Sequence, residues 1–346
     1  MRCFRLAVAE TVVFDLFVDA FSQDAITQSI IEQRHFFPPG YGLLAMLAPP
    51  GSQVLDLGAH IGTFTLYAAA QGYRVAAVDA NPTNLALLRT SLEQNHFHTV
   101  QSVHAAISDH AGVLEFVPAG PYGVVANPSV IAPTIQVRAD TVPALLAEIG
   151  WERADFIKLD IEGSEMHAVR GMADLLARPD APAILFESNG FTLEMFGETP
   201  NTLLAALEAY GYCCYLVEPG LLTPVRARDF QPACNVDYLA IKQPVSRLRS
   251  WRLGRPMSLY TCCKRITAEL NEPPEVRAYM GRALATAGMA LLSEPAIHAV
   301  LERLQHDDDE RVRAAVSWWD PARRPPATRL LHTLRRLWDV GRSRLP

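Results

Sequence analysis

No apolar run in this chain approaches the ~18 residues that a membrane-crossing helix needs, so no transmembrane segment is expected. The first twenty residues are apolar only in patches. Glu10, Asp15 and Asp19 break them up, which argues against a secretory leader and for a reducing, cytoplasmic setting. The six cysteines are Cys3, Cys213, Cys214, Cys234, Cys262 and Cys263, and none are spaced C-x-x-C. Neither a zinc site nor a disulfide framework is signalled, and no metal site is assigned. An excess of basic charge is also missing. The net charge is −6, which excludes a chain that binds nucleic acid as a whole. What remains is 346 residues with 49% hydrophobic content, enough for one large domain or two modest ones.

The most informative stretch is Val54-Leu-Asp-Leu-Gly-Ala-His-Ile-Gly-Thr-Phe64. Val54 to Leu57 reads as a buried strand, Gly58 opens a tight turn, and Thr63 to Ala70 has a helical pattern. Such a loop aims backbone N–H groups and the positive end of a helix at a ligand. Gly58 and Gly62 let the backbone come close to it. A second strand, Arg74 to Val78, runs into Asp79, 21 residues after Gly58. About that spacing separates a nucleotide loop from the carboxylate that grips ribose hydroxyls. The dinucleotide fingerprint G-x-G-x-x-G lacks its third glycine here, which weakens the reading as a nucleotide-dependent oxidoreductase. Asp56 would repel a pyrophosphate yet could hold a positively charged amine. The candidate cofactor is therefore S-adenosylmethionine, with its amine, sulfonium and ribose. A nucleotide-type domain that binds nothing and serves as an interaction module is the remaining alternative.

Along the rest of the chain, residues 1–20 suggest strands or a hairpin and Gln23 to Gln33 a helix. His35 to Tyr41 is an aromatic, proline-rich connector that either covers a pocket mouth or packs as part of an N-terminal cap. Asn81-Pro82 is a helix start, with Asn81 as N-cap. Val100 to Ile107 is a third strand. Ser108 and Asp109 follow it, and Asp109 is either an acceptor for an adenine amine or plain turn chemistry. Val113 to Val117 and Thr134 to Val137 form an inserted β segment, and Thr141 to Ile149 is a helix. The strand before Asp160 then leads through Glu162-Gly163-Ser164-Glu165 into a helix that ends near Leu176. Ala183 to Glu187 is a strand, Asn201 to Ala209 a helix, and Tyr212 to Val217 and Val236 to Ile241 are the last two strands of seven.

Val54 to Phe64, Val78-Asp79-Ala80-Asn81-Pro82 and Phe156-Ile-Lys-Leu-Asp-Ile-Glu-Gly-Ser-Glu165 together resemble the FkbM-type methyltransferase family. The resemblance covers about residues 50–242. It implies an α/β fold of class I, a Rossmann-like seven-stranded sheet. It also implies S-adenosylmethionine as cofactor and methylation of a hydroxyl on a sugar, glycan or secondary metabolite. Two positions depart from the family pattern: His60 replaces an asparagine, and Asp79-Ala80 replaces Glu-Pro. The expected cofactor-binding residues are Asp56, Gly58, Ala59, His60, Gly62, Asp79, Ala80, Asn81, Ser108, Asp109 and Asp160. The candidates for catalysis are Asp160, Lys158, Glu187, Glu162 and His60, with the general base left open among them. Lys158, inside a buried strand, needs a partner, and its strand is expected beside Ala183 to Glu187 so that Lys158 meets Glu187 and holds Glu187, Asp160 or both ionised.

The expected organisation is an N-terminal cap at 1–47, the methyltransferase-like domain at 48–242, a linker at 243–256 and a small all-helical domain at 257–346. In the final 26 residues seven arginines face one aspartate, around a leucine and tryptophan stripe. Such a basic amphipathic helix can dock on the protein or a second copy, or lie on a membrane surface. Docking is the reading favoured here.

Overall fold

The strand–loop–helix unit around Gly58 folds as its pattern dictates. Gln53–Leu57 is a strand and Thr63–Ala70 a helix, joined by a loop in which Gly58 and Gly62 take φ of 81° and 94°. The computed structural model describes residues 1–8, 12–22, 24–33, 36–127, 132–229, 231, 235–242, 248, 251–254, 259–285, 289–292 and 294–319.

The main sheet has nine strands. From one edge they run Val100–His104, Arg74–Asp79, Gln53–Leu57, Phe156–Leu159, Ala183–Ser188, Val236–Ile241 and Cys213–Glu218, then Leu221–Val225 and Arg252–Leu253. The first five are mutually parallel, and Val236–Ile241 runs antiparallel between its neighbours. The seven expected strands are thus present in a Rossmann-like order, 3-2-1-4-5-7-6. The sheet exceeds the expected seven strands because Leu221–Val225 hairpins back onto strand six and Arg252–Leu253 pairs with it in turn. That last strand lies within the stretch read as a linker, where Leu248 is also buried in the main core. The expected third strand splits: Ala106–Ile107 leaves the main sheet and joins a small one with Gly112–Val117, Val124–Val125 and Ile135–Asp140.

Alternation along the strands divides the core. Leu55 and Leu57 face a layer built from helices Val142–Glu148, Glu165–Gly171, Ala173–Ala177 and Pro200–Ala209. Val54 and Phe156 face the opposite layer, with helices Thr63–Ala70 and Pro82–Gln94 and the N-terminal segment. That segment is an antiparallel hairpin, Arg2–Val8 with Val12–Val18, followed by the helix Ala25–Gln33. The hairpin docks on the second helix through Phe17 N–H to Ser91 Oγ (2.9 Å) and Asp15 N–H to Asn95 Oδ1 (2.8 Å). By the same alternation, Asp56, Lys158, Leu185 and Glu187 all point toward the N-terminal segment.

The C-terminal helices Leu259–Ala268, Pro274–Ala285, Met289–Leu292, Pro295–Gln305 and Glu310–Ala315 enclose a core of their own around Met280, Leu284, Val300 and Leu304. Arg282 donates from Nε and Nη2 to the two carboxylate oxygens of Glu194, and Arg265 meets Glu218 at 3.0 Å, tying this bundle to the sheet domain. The basic amphipathic stretch expected near the C-terminus lies outside the described residues. Among the described residues, no helix is long and apolar enough to cross a membrane.

Candidate functional site

The strand order reverses between Gln53–Leu57 and Phe156–Leu159, and crevices outside the carboxyl ends of parallel strands at such points are where α/β sheets bind ligands. A cleft of ≈ 1010 Å³ opens there, including its solvent-facing part. Gly58, Ala59 and His60 form one wall, Asp79 and Ala80 another, and Lys158, Asp160, Glu162 and Glu187 line the far end.

Gly58 must be glycine twice over. Its φ of 81° is unfavourable for any side chain, and an added Cβ would sit 1.7 Å from the carbonyl oxygen of Asp160. Gly58→Ala is therefore expected to destabilise the fold by more than the roughly 1–3 kcal/mol that such a backbone conformation costs by itself. Thermal unfolding checks this: a melting temperature equal to that of the native chain would contradict it.

Asp79 organises both ends of the loop. Its Oδ2 accepts the His60 N–H (2.7 Å), and its Oδ1 accepts the Asn81 N–H (2.7 Å) and the Asn84 side-chain amide (3.3 Å). Asn81 in turn caps helix Pro82–Gln94 by accepting the Thr83 N–H. Burial pushes the Asp79 carboxyl up to about 6, against the opposing pull of those N–H donors. His60 has φ of 51°, and burial lowers its imidazole to about 4, so it is neutral near pH 7 and a weak base.

The other end of the cleft is acidic. Lys158 Nζ lies 2.9 Å from Asp160 Oδ2, 3.7 Å from Asp56 Oδ1 and 3.4 Å from the Gly58 carbonyl oxygen. Burial alone would lower this lysine, but Asp160 and Asp56 outweigh it and hold the ammonium well above its ordinary value. The strands of Lys158 and Glu187 do lie side by side, yet the expected meeting of the two residues does not occur among the described ion pairs. The cross-strand register explains this. Lys158 stands directly opposite Asp56 on one side and Leu185 on the other, while Glu187 is two residues farther along. Glu187 Oε1 instead accepts from the Asn235 side chain. Burial, then Asp160 and Glu165, pushes Glu162 up to about 8. Burial with Asp160 and Glu162 raises Glu187 well above the usual range. Glu165 closes the turn beneath them, accepting the N–H groups of Ile161 and Gly163.

Of the remaining residues picked from the sequence, Asp56 is fully buried below the cleft floor, where it accepts from Thr65 Oγ1 (2.5 Å) and faces Lys158. It does not line the cleft, so the expectation that it holds a cofactor amine is not supported by its position. Gly62 packs against Leu88, and Ser108 and Asp109 lie beyond the lining residue Ile107. Asp109 accepts from His110 Nδ1 and from Ser108, which is turn chemistry. From the connector, Phe36 and Tyr41 reach the cleft, and Tyr41 is pinned by a hydroxyl contact to Thr63 (2.9 Å); His35 lies outside the described residues.

Sequence reasoning missed Asn84, Tyr122, Asn235 and Asp237. Asn84 bridges Asp79 and the Gly120 carbonyl (3.3 Å), fastening the loop of the small sheet over the cleft beside Tyr122. Asp237 stands opposite Glu187 on the last strand, and together with Asn235 it lines an adjoining cavity. A polar residue between Val236 and Tyr238 in an otherwise buried strand was the available signal.

Residues 56–214 match the profile of the methyltransferase FkbM domain. Among curated proteins, the chain is 24% identical over 252 residues to the AMB antimetabolite synthetase AmbE of Pseudomonas aeruginosa. That match covers 55% of this chain and only 12% of AmbE, so the chain spans a small part of its relative. Solved structures similar to it include the precorrin-6y C5,15-methyltransferase of Geobacter metallireducens, at 15% identity and a TM-score of 0.36, over 59% of this chain and 87% of that one. The 16S rRNA N2 G1207 methyltransferase RsmC of T. thermophilus, solved with AdoMet and guanosine, is 18% identical with a TM-score of 0.38, over 70% of this chain and 50% of its own.

Proposed function

We propose that the chain, whose residues 56–214 match the methyltransferase FkbM domain, transfers the methyl group of S-adenosylmethionine to a hydroxyl oxygen of a small molecule or glycan. The observation that carries this is the arrangement of Asp79 and the acidic cluster at opposite ends of one cleft, with the Gly58 loop between them. Asp79 would accept the ribose hydroxyls, and the backbone from Gly58 to His60 would run beside the methionine portion. The methyl group would then point toward Asp160 and Glu162.

Transfer is an in-line displacement. The acceptor oxygen forms a bond to the methyl carbon as the carbon–sulfur bond breaks, and its electron pair stays on sulfur as S-adenosylhomocysteine. The hydroxyl proton passes to a carboxylate of the acidic cluster and on to solvent. The chain's contribution is to hold oxygen and carbon roughly 3–3.5 Å apart and aligned, and to supply the proton acceptor. The similarity to an antimetabolite synthetase favours an acceptor from small-molecule biosynthesis.

Calorimetry with S-adenosylhomocysteine and NAD tests the reading. Micromolar binding of S-adenosylhomocysteine with none of NAD is the expected result; NAD binding alone would overturn it in favour of a nucleotide-dependent oxidoreductase.

A further inference from the structure

Resting on the methyltransferase reading above, we propose that Asp160, Glu162 and Glu187 form a binding site for a divalent cation of the Mg²⁺ or Mn²⁺ type, which takes the acceptor's hydroxyl as one of its ligands. Each of the three carboxylates offers an oxygen within 4.8 Å of those of the other two. The fold brings them together deliberately: Leu159 pairs with Phe186, so Asp160 and Glu187 are the next residues in line on adjacent parallel strands, on the same face. Glu162 is then turned back toward them by a residue conformation of φ 51° followed by Gly163, whose Cβ would collide with the Thr192 carbonyl.

Two of the three carboxylates are already braced from behind. Lys158 holds Asp160 by Oδ2, and Asn235 holds Glu187 by Oε1. No hydrogen bond among the described residues engages Asp160 Oδ1, Glu187 Oε2 or either Glu162 oxygen. Outer partners of this kind orient metal ligands and leave the inner oxygens free. Among the described residues, the ammonium that contacts the cluster is Lys158, and it is shared between Asp160 and the buried Asp56, so three crowded carboxyl groups have part of one cation between them.

A separate observation points to a ligand at the same place. Ser164 is 4% exposed and lines the same cleft as the three carboxylates, and its buried hydroxyl has no hydrogen-bond partner among the described residues. A buried polar group left unpaired is costly, and a cation with its water shell would satisfy it. The donor set is all oxygen, without thiolate or imidazole, which selects hard cations that keep several waters over zinc or copper. A bound alcohol becomes more acidic on such a cation, which would suit a hydroxyl acceptor.

Titration of the full chain with Mn²⁺ alone at pH 8, followed by the electron paramagnetic resonance signal of the free ion, tests the site. One Mn²⁺ per chain, displaced by Mg²⁺, is expected. Glu187→Gln and Glu162→Gln should each weaken Mn²⁺ at least tenfold while circular dichroism stays native. No stoichiometric binding by the native chain, or binding that neither variant weakens, would overturn the proposal. S-adenosylhomocysteine calorimetry on the same samples keeps the two readings apart. Cofactor binding without Mn²⁺ binding removes the cation site alone, and Mn²⁺ binding without cofactor binding removes the methyltransferase reading on which its role rests.

Discussion

Lys158→Met is expected to destabilise the protein by about 3–5 kcal/mol, the usual cost of removing one partner from a buried ion pair. The methionine would leave Asp56, which has no exposure, facing an apolar side chain, with Thr65 its one remaining side-chain partner among the described residues. Asp160 would lose its nearest cation and the contact that fixes its orientation. Pairing the change with Asp56→Asn removes the stranded charge, so the double variant should be more stable than Lys158→Met alone. Chemical denaturation of the two variants checks this, and equal stability would mean that Lys158 and Asp56 are not coupled. The double variant also separates roles. If it folds, binds S-adenosylhomocysteine and no longer turns over, Lys158 positions Asp160 for the reaction; if turnover is normal, the pair serves the fold alone.

Asp79→Ala is expected to weaken S-adenosylhomocysteine binding at least tenfold. Hydrogen bonds to a charged acceptor contribute roughly 1.5–3 kcal/mol each, and the substitution would remove the proposed ribose acceptor. It also frees the His60 and Asn81 N–H groups that Asp79 holds. Some loss of stability accompanies the loss of affinity, so the calorimetry belongs at a temperature where circular dichroism shows the variant folded. Unchanged affinity in a folded variant would remove Asp79 from the cofactor site.

The native chain carries the same signature in its pH dependence. Because burial raises the Asp79 carboxyl from 3.8 to about 6, the folded state takes up its proton before the unfolded state does. Stability from this group is therefore fully present below about pH 4 and is lost as the pH rises through 6. Affinity runs the other way. On the proposed role the ionised carboxylate would accept two ribose hydroxyls, so S-adenosylhomocysteine binding should weaken as the pH falls below about 6. Calorimetry between pH 5 and 8 reads this directly.

How much of this was legible in the sequence depended on whether the information was local. The turn at Gly58, the cap at Asn81 and the carboxylate ending the strand at Asp79 are set within a few residues of chain, and each sits where its spacing implied. The same holds for Asp160 and Glu162, which follow one strand into one turn. Register across strands brought by long crossovers is not local. That Lys158 stands opposite Asp56, about a hundred residues earlier, and not beside Glu187 follows from how the two strands slide past each other during packing. Asn235 and Asp237 enter from an antiparallel strand inserted late in the chain, and nothing near Asp160 in sequence announces them. The two added edge strands escaped for a further reason: Leu221–Val225 contains Pro224 and Arg252–Leu253 is only two residues long, so neither carries a clear alternating pattern.

The most direct test of the central claim is a crystal structure of the full chain with S-adenosylhomocysteine. The expected complex has the ribose hydroxyls within hydrogen-bonding distance of Asp79, the methionine portion along the backbone from Gly58 to His60, and the sulfur turned toward Asp160 and Glu162. A bound ligand whose ribose makes no contact with Asp79, or whose sulfur faces away from the acidic cluster, would contradict it.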